Sequence, residues 1–536
     1  MNVWNFGDIF DAVASVIPPT APALIHGDST TTWQQFHART NALARGLVEA
    51  GHKPDDKLAL LIRNRPEYME GTIASFKGRF VHVNVNYRYK EEELLYIFDN
   101  SDARIVLYGS EFAPVIAAIH SRLPGIRTWL QVQVDDTPLP SFATSYENFI
   151  AAHKSTNLDI KRSPDDLLFL YTGGTTGMPK GVMWRHGDLR QTQLNPNLMP
   201  VVPTSLQEHA DLVRQQGPGN RVIPACPQMH GTGLLTSFGT LCMGGCVITM
   251  PGLNFDPVEL WDTVAHHRAM QIAIVGDAFA KPMLRALDDH PGRWDLASMV
   301  SIISSGVMWS QEVKHGMLKH MQQVTLLDSF GSSEAVGFAM SATTKDGEVS
   351  TAKFTLGADV AVFTPDHKPV LPGAPEPGYI ARGGNIPVGY WKDPEKTAKT
   401  FPVIGGRRWS IPGDFCMLHE DNSITLLGRG SVCINTAGEK VYPEEVEEVL
   451  KLHESVEDAL VVGVPDDKWG TAVTAVIELA PGASFNEEVL RKHVREKLAG
   501  YKTPKRILMV QSMFRAPNGK ADYKLATDFA KQSLGL

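Results

Sequence analysis

The sequence predicts an α/β protein: a large N-terminal domain of α/β subdomains followed by a small α+β C-terminal domain. Three observations carry this. Helix-like and strand-like segments alternate through most of the chain. The 536 residues exceed what one hydrophobic core serves, so two or three folding units are expected. Beyond a Pro/Gly-rich stretch from Pro365 to Gly413 the pattern changes.

In chain order, Leu58 to Ile62 reads as a buried strand, and Glu91 to Asn100 as a helix with Leu94, Leu95 and Phe98 on one face. Ala103 to Tyr108 and Leu167 to Leu170 read as strands, and Ile272 to Phe279 as a strand-like wall. Near the C-terminus, Val432 to Asn435 is strand-like, and a turn at Ala437-Gly438-Glu439 follows. A helix then starts at Pro443, with proline at its first position, Glu444 and Glu445 in the first turn, and Val446, Val449 and Leu450 at core spacing. Strands Ala459 to Val464 and Ala472 to Leu479 and a helix from Asn486 to Leu498 complete a unit large enough for a small domain. The expected division is 1–428, a connecting segment 429–432, and 433–536.

Composition narrows the function. With 43% hydrophobic and 21% charged residues the chain is an ordinary globular protein. A net charge of -8 and a pI near 6.1 argue against nucleic acid as the main partner. No signal-peptide pattern opens the chain and no apolar run reaches bilayer length, so a cytoplasmic location without a transmembrane segment is expected. Peripheral membrane contact and a homodimer are compatible with the sequence. Cys226, Cys242, Cys246, Cys416 and Cys433 are too few and scattered for a disulfide framework. The Cys242/Cys246 pair lacks a second metal-ligating pair, so buried thiols and no zinc are expected.

The segment Tyr171 to Gly181 places four glycines, three threonines and Lys180 after the Leu167 to Leu170 strand. Glycines let backbone N–H groups approach an anion while a lysine adds charge, which suits phosphate. It is neither a Walker A loop, because Lys180 lies between Pro179 and Gly181, nor a dinucleotide fingerprint. Alone, the segment reads equally well as a glycine-rich surface turn.

Further motifs decide between these readings. Asp328-Ser329-Phe330-Gly331-Ser332-Ser333-Glu334, Gly413-Asp414, Gly428-Arg429, Gly438 to Pro443 and Pro517-Asn518-Gly519-Lys520 follow the loop in order. Together with it they resemble the motifs of the adenylate-forming superfamily of acyl-CoA synthetases, luciferases and nonribosomal adenylation domains, over nearly the whole chain. Within it, Gly181 to Asp188 is similar to bacterial fatty-acid and steroid side-chain acyl-CoA synthetases.

The resemblance implies an enzyme, an AMP-forming acid-thiol ligase using ATP, Mg2+ and CoA. Thr172, Gly173, Gly174, Thr175, Thr176, Gly177 and Lys180 would grip the β- and γ-phosphates, and Glu334, with Thr172, would hold Mg2+. Gly306, Val307, Asp328, Ser329, Phe330, Gly331, Ser332 and Ser333 would line the nucleotide site, with Phe330 stacked on adenine and Asp328 near its amino group. Asp414 would bind the ribose hydroxyls, and Arg429 ribose or phosphate oxygens. Lys520 would bridge the substrate carboxylate and the α-phosphate, and with Lys180, Glu334 and His230 it makes up the implied catalytic set.

The acyl pocket is implied at His230, Gly231, Gly276, Ser305, Gly306 and Phe330, with His230 shaping the carboxylate end. A general-base role is not needed, because a carboxylate nucleophile is already ionised. Small residues there suit a medium- or long-chain fatty acid or a steroid side-chain carboxylate. Family members rotate a mobile C-terminal domain after the adenylate forms; here Gly438 would then lie beside the entering thiol, and Ser431 occupies a hinge position that is Asp or Lys in many relatives. Only sixteen residues follow Lys520 and no carrier attachment motif is present, so free CoA is the expected acceptor. A carrier protein loaded in trans, a luciferase-like oxidative outcome and a non-catalytic nucleotide- or acyl-binding protein are the alternatives.

Overall fold

The computed structural model describes residues 4–174, 177–194, 201–306, 309–347, 353–357, 359–429, 432, 434–436, 439–466, 470–498, 500–516 and 519–536. Two sheets, of thirteen and eight strands among these residues, organise the N-terminal part. In the larger, Pro22–His26, Cys246–Thr249, Arg221–Pro224, Gln271–Ile274, Ser301–Ser305 and Thr325–Ser332 lie side by side and parallel. Antiparallel strands, among them Ala335–Thr343 and Ser423–Arg429, extend it. In the smaller, Leu167–Gly174, Val81–Asn84, Lys57–Leu61, Ala103–Gly109 and Thr128–Val132 are parallel. Strands covered on both faces read as continuous apolar runs, which is why Leu58 to Leu61 and Ile272 to Ile274 are apolar and fully buried. One core cluster draws Leu60 and Leu170 from one sheet together with Val222 and Val247 from the other.

The helix Glu91–Asn100 has the predicted bounds. Glu91, Glu92 and Glu93 complement the positive end of its dipole, and Leu94, Leu95, Ile97 and Phe98 are buried. The expected strand Ile272 to Phe279 is shorter. It ends at Ile274, Gly276 turns the chain with φ +56°, and a helix runs over Asp277–Asp289. Phe279, Ala280, Met283, Ala286 and Leu287 are its buried residues, a helical spacing that outweighs the local β propensity.

The C-terminal part has cores of its own. Helix Pro443–Lys451, strands Val456–Asp466, Gly470–Leu479 and Arg506–Val510, and helices Glu487–Lys497 and Tyr523–Leu534 bury two clusters, which contain only residues from Ile434 onward. Asn486 caps its helix by accepting from the Glu488 and Val489 N–H groups. The strand expected at Val432 to Asn435 runs over Ile434–Thr436. Ser431, Cys433 and Gly438 lie outside the described residues.

Cys226, Cys242, Cys246 and Cys416 are buried free thiols, and burial raises each. Among the described residues no helix is long and apolar enough to cross a membrane, and no group of three or more His, Cys, Asp or Glu could hold a metal ion.

Candidate active site

The glycine-rich segment is the end of a hairpin. Leu167–Gly174 and Gly177–Arg185 pair antiparallel, with Thr172 opposite Lys180 and Gly174 opposite Gly177. A loop was the expectation; pairing extends further because Gly181 leaves room for the Tyr171 ring opposite it, where a Cβ would come within 2.7 Å of that ring. Thr175 and Thr176 lie outside the described residues. Asn84, buried at the end of its parallel strand, clamps the hairpin: its side-chain oxygen accepts from the Tyr171 N–H at 2.6 Å, and its amide donates to the carbonyls of Tyr171 at 3.0 Å and Met229 at 2.7 Å.

Parallel strand ends bring the next residues together, as open α/β sheets do at their carboxyl edges. Ser301–Ser305 and Thr325–Ser332 are neighbours with Ser305 beside Ser329. Gly306 follows at φ +92°, a conformation that favours glycine. Asp328 is buried against Lys314; burial pushes its carboxyl up while the lysine charge opposes. Phe330 stacks on Phe338, with centroids 5.2 Å apart and planes at 18°. Glu334 sits in the tight connection to the next strand, held by three neighbours. The Trp184 indole donates to the Ser333 carbonyl at 2.8 Å, the Ser410 hydroxyl to the Glu334 carbonyl at 2.7 Å, and the Tyr390 hydroxyl to Glu334 Oε1 at 2.7 Å. Ser332 Oγ is buried and has no hydrogen-bond partner among the described residues.

These edges enclose a cavity of about 1090 Å³, lined among others by Met229, His230, Gly231, Leu235, Ile303 and Val336. His230 precedes the helix Gly231–Cys242. Burial, then the charges of Lys520 and Arg88, push its imidazole down to about 3, so it is neutral at ordinary pH. A recess of about 250 Å³ adjoins it, lined by Asp328, Phe330, Glu334 and Asp414. Thr172, Gly306, Ser329, Gly331, Ser332, Ser333 and Lys520 line both.

Not every expected residue reaches these spaces. Phe330 lines the recess, not the larger cavity, and Gly276 is absent from both linings, its N–H donating to Ser304 Oγ at 2.9 Å. Lys180 is also absent from both and pairs with Asp393. The Arg429 backbone is opposite Asp414 in the ladder. Val307 lies outside the described residues, as does Gly438.

Lys520 arrives from the C-terminal part on a turn closed by two backbone bonds, Ala516 N–H to the Lys520 carbonyl at 2.7 Å and Gly519 N–H to the Ala516 carbonyl at 2.8 Å. Gly519 has φ +77°, and a Cβ there would meet Ala278 at 3.0 Å and the Val275 carbonyl at 3.2 Å. The turn therefore packs directly on the N-terminal part. A Cβ on Gly306 would lie 3.8 Å from Lys520 Cε. Arg515 supports the turn, donating to the Gly519 carbonyl at 3.1 Å while paired with Asp458. Asn84, Tyr390 and Asp393 escaped sequence reasoning because their partners are remote, and Arg515 because its ion-pair partner Asp458 lies 57 residues away. Only Asp393 left a local signal, Asp-Pro-Glu at a helix start.

Comparison with known proteins places the chain in a family. Residues 10–391 match the AMP-binding enzyme family and residues 445–520 the AMP-binding enzyme C-terminal domain. The chain is 38% identical to a 3-oxocholest-4-en-26-oate--CoA ligase of Rhodococcus rhodochrous, over 98% of this chain and 95% of that one. It is 36% identical to a medium/long-chain-fatty-acid--CoA/3-oxocholest-4-en-26-oate--CoA ligase of Mycolicibacterium smegmatis, over 98% and 97%. Among solved structures, an anthranilate CoA ligase in complex with anthranoyl-AMP superposes with TM-score 0.85 at 22% identity, covering 100% of this chain and 99% of that one. ATP-bound MatB from Rhodopseudomonas palustris superposes with TM-score 0.83 at 25% identity, covering 99% and 100%. With a family match across most of the chain and full-length relatives above one-third identity, the protein belongs to the adenylate-forming AMP-binding enzymes.

Proposed function

We propose that the protein is an ATP-dependent, AMP-forming acyl-CoA synthetase acting on a medium- or long-chain fatty acid or a steroid side-chain carboxylate. The observation that carries this is the position of Lys520, which lines both the large cavity and the adjoining recess and lies against Gly306. A cation there meets both reactants. In the first step a carboxylate oxygen attacks the α-phosphorus of ATP, the bond to the β-phosphate bridging oxygen breaks, and pyrophosphate leaves with the electron pair. Two anions must approach, so a fixed positive charge between them lowers the barrier by electrostatic stabilisation and positioning. In the second step the CoA thiol attacks the acyl carbon, loses its proton, and AMP leaves.

In this reading the recess takes the nucleoside, with Asp328, Phe330 and Asp414 around base and ribose and Arg429 near ribose or phosphate. The hairpin from Thr172 to Lys180 takes the terminal phosphates. The donor set at the hairpin end suits Mg2+. Glu334 offers a carboxylate, Ser332 Oγ is a buried hydroxyl without a hydrogen-bond partner among the described residues, and Thr172 lines the same space, all hard oxygens. When bound, Mg2+ supplies charge neutralisation of the phosphates. His230, neutral, bounds the carboxylate end. The acid occupies the space along Met229, Leu235, Ile303 and Val336, whose apolar side chains match an alkyl chain or steroid ring system. The names of the relatives support that substrate class.

We further infer that residues 429–432 form a hinge between units 1–428 and 433–536, about which Lys520 withdraws and the segment at Gly438 replaces it beside the thiol. Free CoA is the acceptor and the cytoplasm, which supplies it, the site of action.

Pyrophosphate release with a panel of medium-chain, long-chain and steroid side-chain carboxylates, with and without CoA, tests the reading. Release with at least one of these acids, and thioester formation with CoA, is expected. Release without any CoA thioester would favour a carrier protein as acceptor. No release with any acid would identify a non-catalytic binding protein.

A further inference from the structure

Two residues on one short segment hold the two charged groups assigned above to the terminal phosphates and to their Mg2+, Lys180 and Glu334. Strand Gly389–Tyr390 joins the hairpin as a third strand, with Tyr390 opposite Val182, and the Trp391 N–H donates to the Gly181 carbonyl at 2.8 Å. This pairing sets Asp393 beside Lys180. One oxygen of Asp393 caps the helix Pro394–Thr400, accepting from the Lys396 N–H at 2.9 Å, and the other accepts from Lys180 Nζ. The Lys180 ammonium holds the Asp393 carboxyl below its usual range. Tyr390, itself buried, orients Glu334.

The register shows that Lys180 is turned aside. Opposed residues of an antiparallel pair project from the same face. Thr172 lines both spaces of the site, yet Lys180, directly opposite it, lines neither and instead meets Asp393. The side-chain exposures of 36% for Lys180 and 26% for Asp393 leave both reachable by solvent and by ligand. Lysine is a point charge on a flexible stem, so it changes partner by side-chain rotation alone.

We propose that Asp393 is a positioning residue that parks Lys180 in the nucleotide-free protein, and that the terminal phosphates of ATP draw Lys180 away from it. Asp393 thereby lowers the affinity for ATP. The inference rests on the assignment of Lys180 to the phosphates. ATP competes successfully because its polyphosphate carries more negative charge than one carboxylate, and a partly exposed ion pair is weak.

Asp393→Asn separates parking from capping, because asparagine caps a helix about as well as aspartate. Asp393→Ser keeps a cap on a shorter side chain and guards against an effect peculiar to asparagine. Calorimetric titration with MgATP, without any acid, reads the affinity directly. Both variants are expected to bind ATP roughly two- to fivefold more tightly than the parent chain, as loss of one partly exposed ion pair allows. The KM for ATP falls in parallel, kcat is unchanged, and the difference shrinks as salt is raised. In a Lys180→Met background the Asp393 substitutions have no effect, since the coupling requires both partners. If Lys180→Met weakens ATP binding while Asp393→Asn leaves it unchanged or weaker, the parking inference alone is overturned. If Lys180→Met binds ATP as well as the parent does, both the inference and the phosphate assignment of Lys180 are overturned.

Discussion

Ser305, Gly306 and Ser329 reach the cavity on the ends of adjacent parallel strands inside a thirteen-stranded sheet, whereas Lys520 reaches it on a short turn of a unit with separate cores. The first set cannot move without breaking a ladder of backbone hydrogen bonds. The second is seated by polar and aromatic contacts. Lys281 and Arg285 pair with Glu457, Phe415 packs against Tyr442 at 5.6 Å, and Gly519 fits closely against Val275 and Ala278. Such interfaces permit relative motion, while a continuous apolar core does not. Under the proposed function, this contrast separates a fixed binding surface from a cation, Lys520, that is delivered and withdrawn with the C-terminal unit.

Lys520→Ala attacks the delivered side of this contrast and has the largest expected effect. Adenylation, measured as pyrophosphate release, falls roughly a thousandfold, about 4 kcal/mol of transition-state stabilisation. Conversion of supplied acyl-AMP to the CoA thioester is retained. Unimpaired adenylation would remove Lys520 from its assigned role.

The separateness of the two units is tested next. Ile477 is fully buried in the strand Gly470–Leu479, within the C-terminal core. Ile477→Ala is expected to cost about 3 kcal/mol there. Hydrogen exchange should report faster opening for amides beyond residue 434 and unchanged protection in the strand Ser301–Ser305. Equal loosening of both would show one cooperative unit instead of two.

The smallest effect concerns the polar seam. Glu447 is buried on the helix Pro443–Lys451, accepting from the Val461 N–H at 2.8 Å and the Tyr523 hydroxyl at 3.2 Å, and it lines the recess. Burial, then the nearby charge of Glu444, push its carboxyl up from 4.5 to about 8. Between those values the folded protein keeps a proton that the unfolded chain releases. This contribution is therefore fully present below pH 4.5, and stability declines as pH rises towards 8. The decline from this group is no more than about 1.4 kcal/mol per pH unit. Glu447→Gln removes it, so chemical denaturation at pH 6 and pH 7 should give more nearly equal stabilities in the variant than in the parent. An unchanged pH slope would show that Glu447 ionises normally in the fold.

Elements with local causes were legible in the sequence. The helices Glu91–Asn100 and Pro443–Lys451 stand where acidic first turns and apolar spacing place them. The strands of the parallel core follow their apolar runs. Ile272 to Phe279 reads as one strand because the strand and the helix after it are both apolar, while the turn between them, at Gly276 with φ +56° and its N–H on Ser304 Oγ, leaves little trace in residue type. The hairpin reads as a loop in the sequence because glycine carries little strand propensity, while its pairing places the Tyr171 ring in the space over Gly181.

By itself the sequence determined the α/β class, the order of the motifs and the family to which they belong, because each rests on residue types within a few positions of one another. Tertiary structure alone decided that Asn84 clamps Tyr171 to Met229, that Tyr390 holds Glu334, and that Lys180 rests on Asp393 across a separation of 213 residues. A side chain's charge and reach can be read from one position in a chain. Its partner is set by which strand edges the sheets bring side by side, and spacing along the chain carries no record of that.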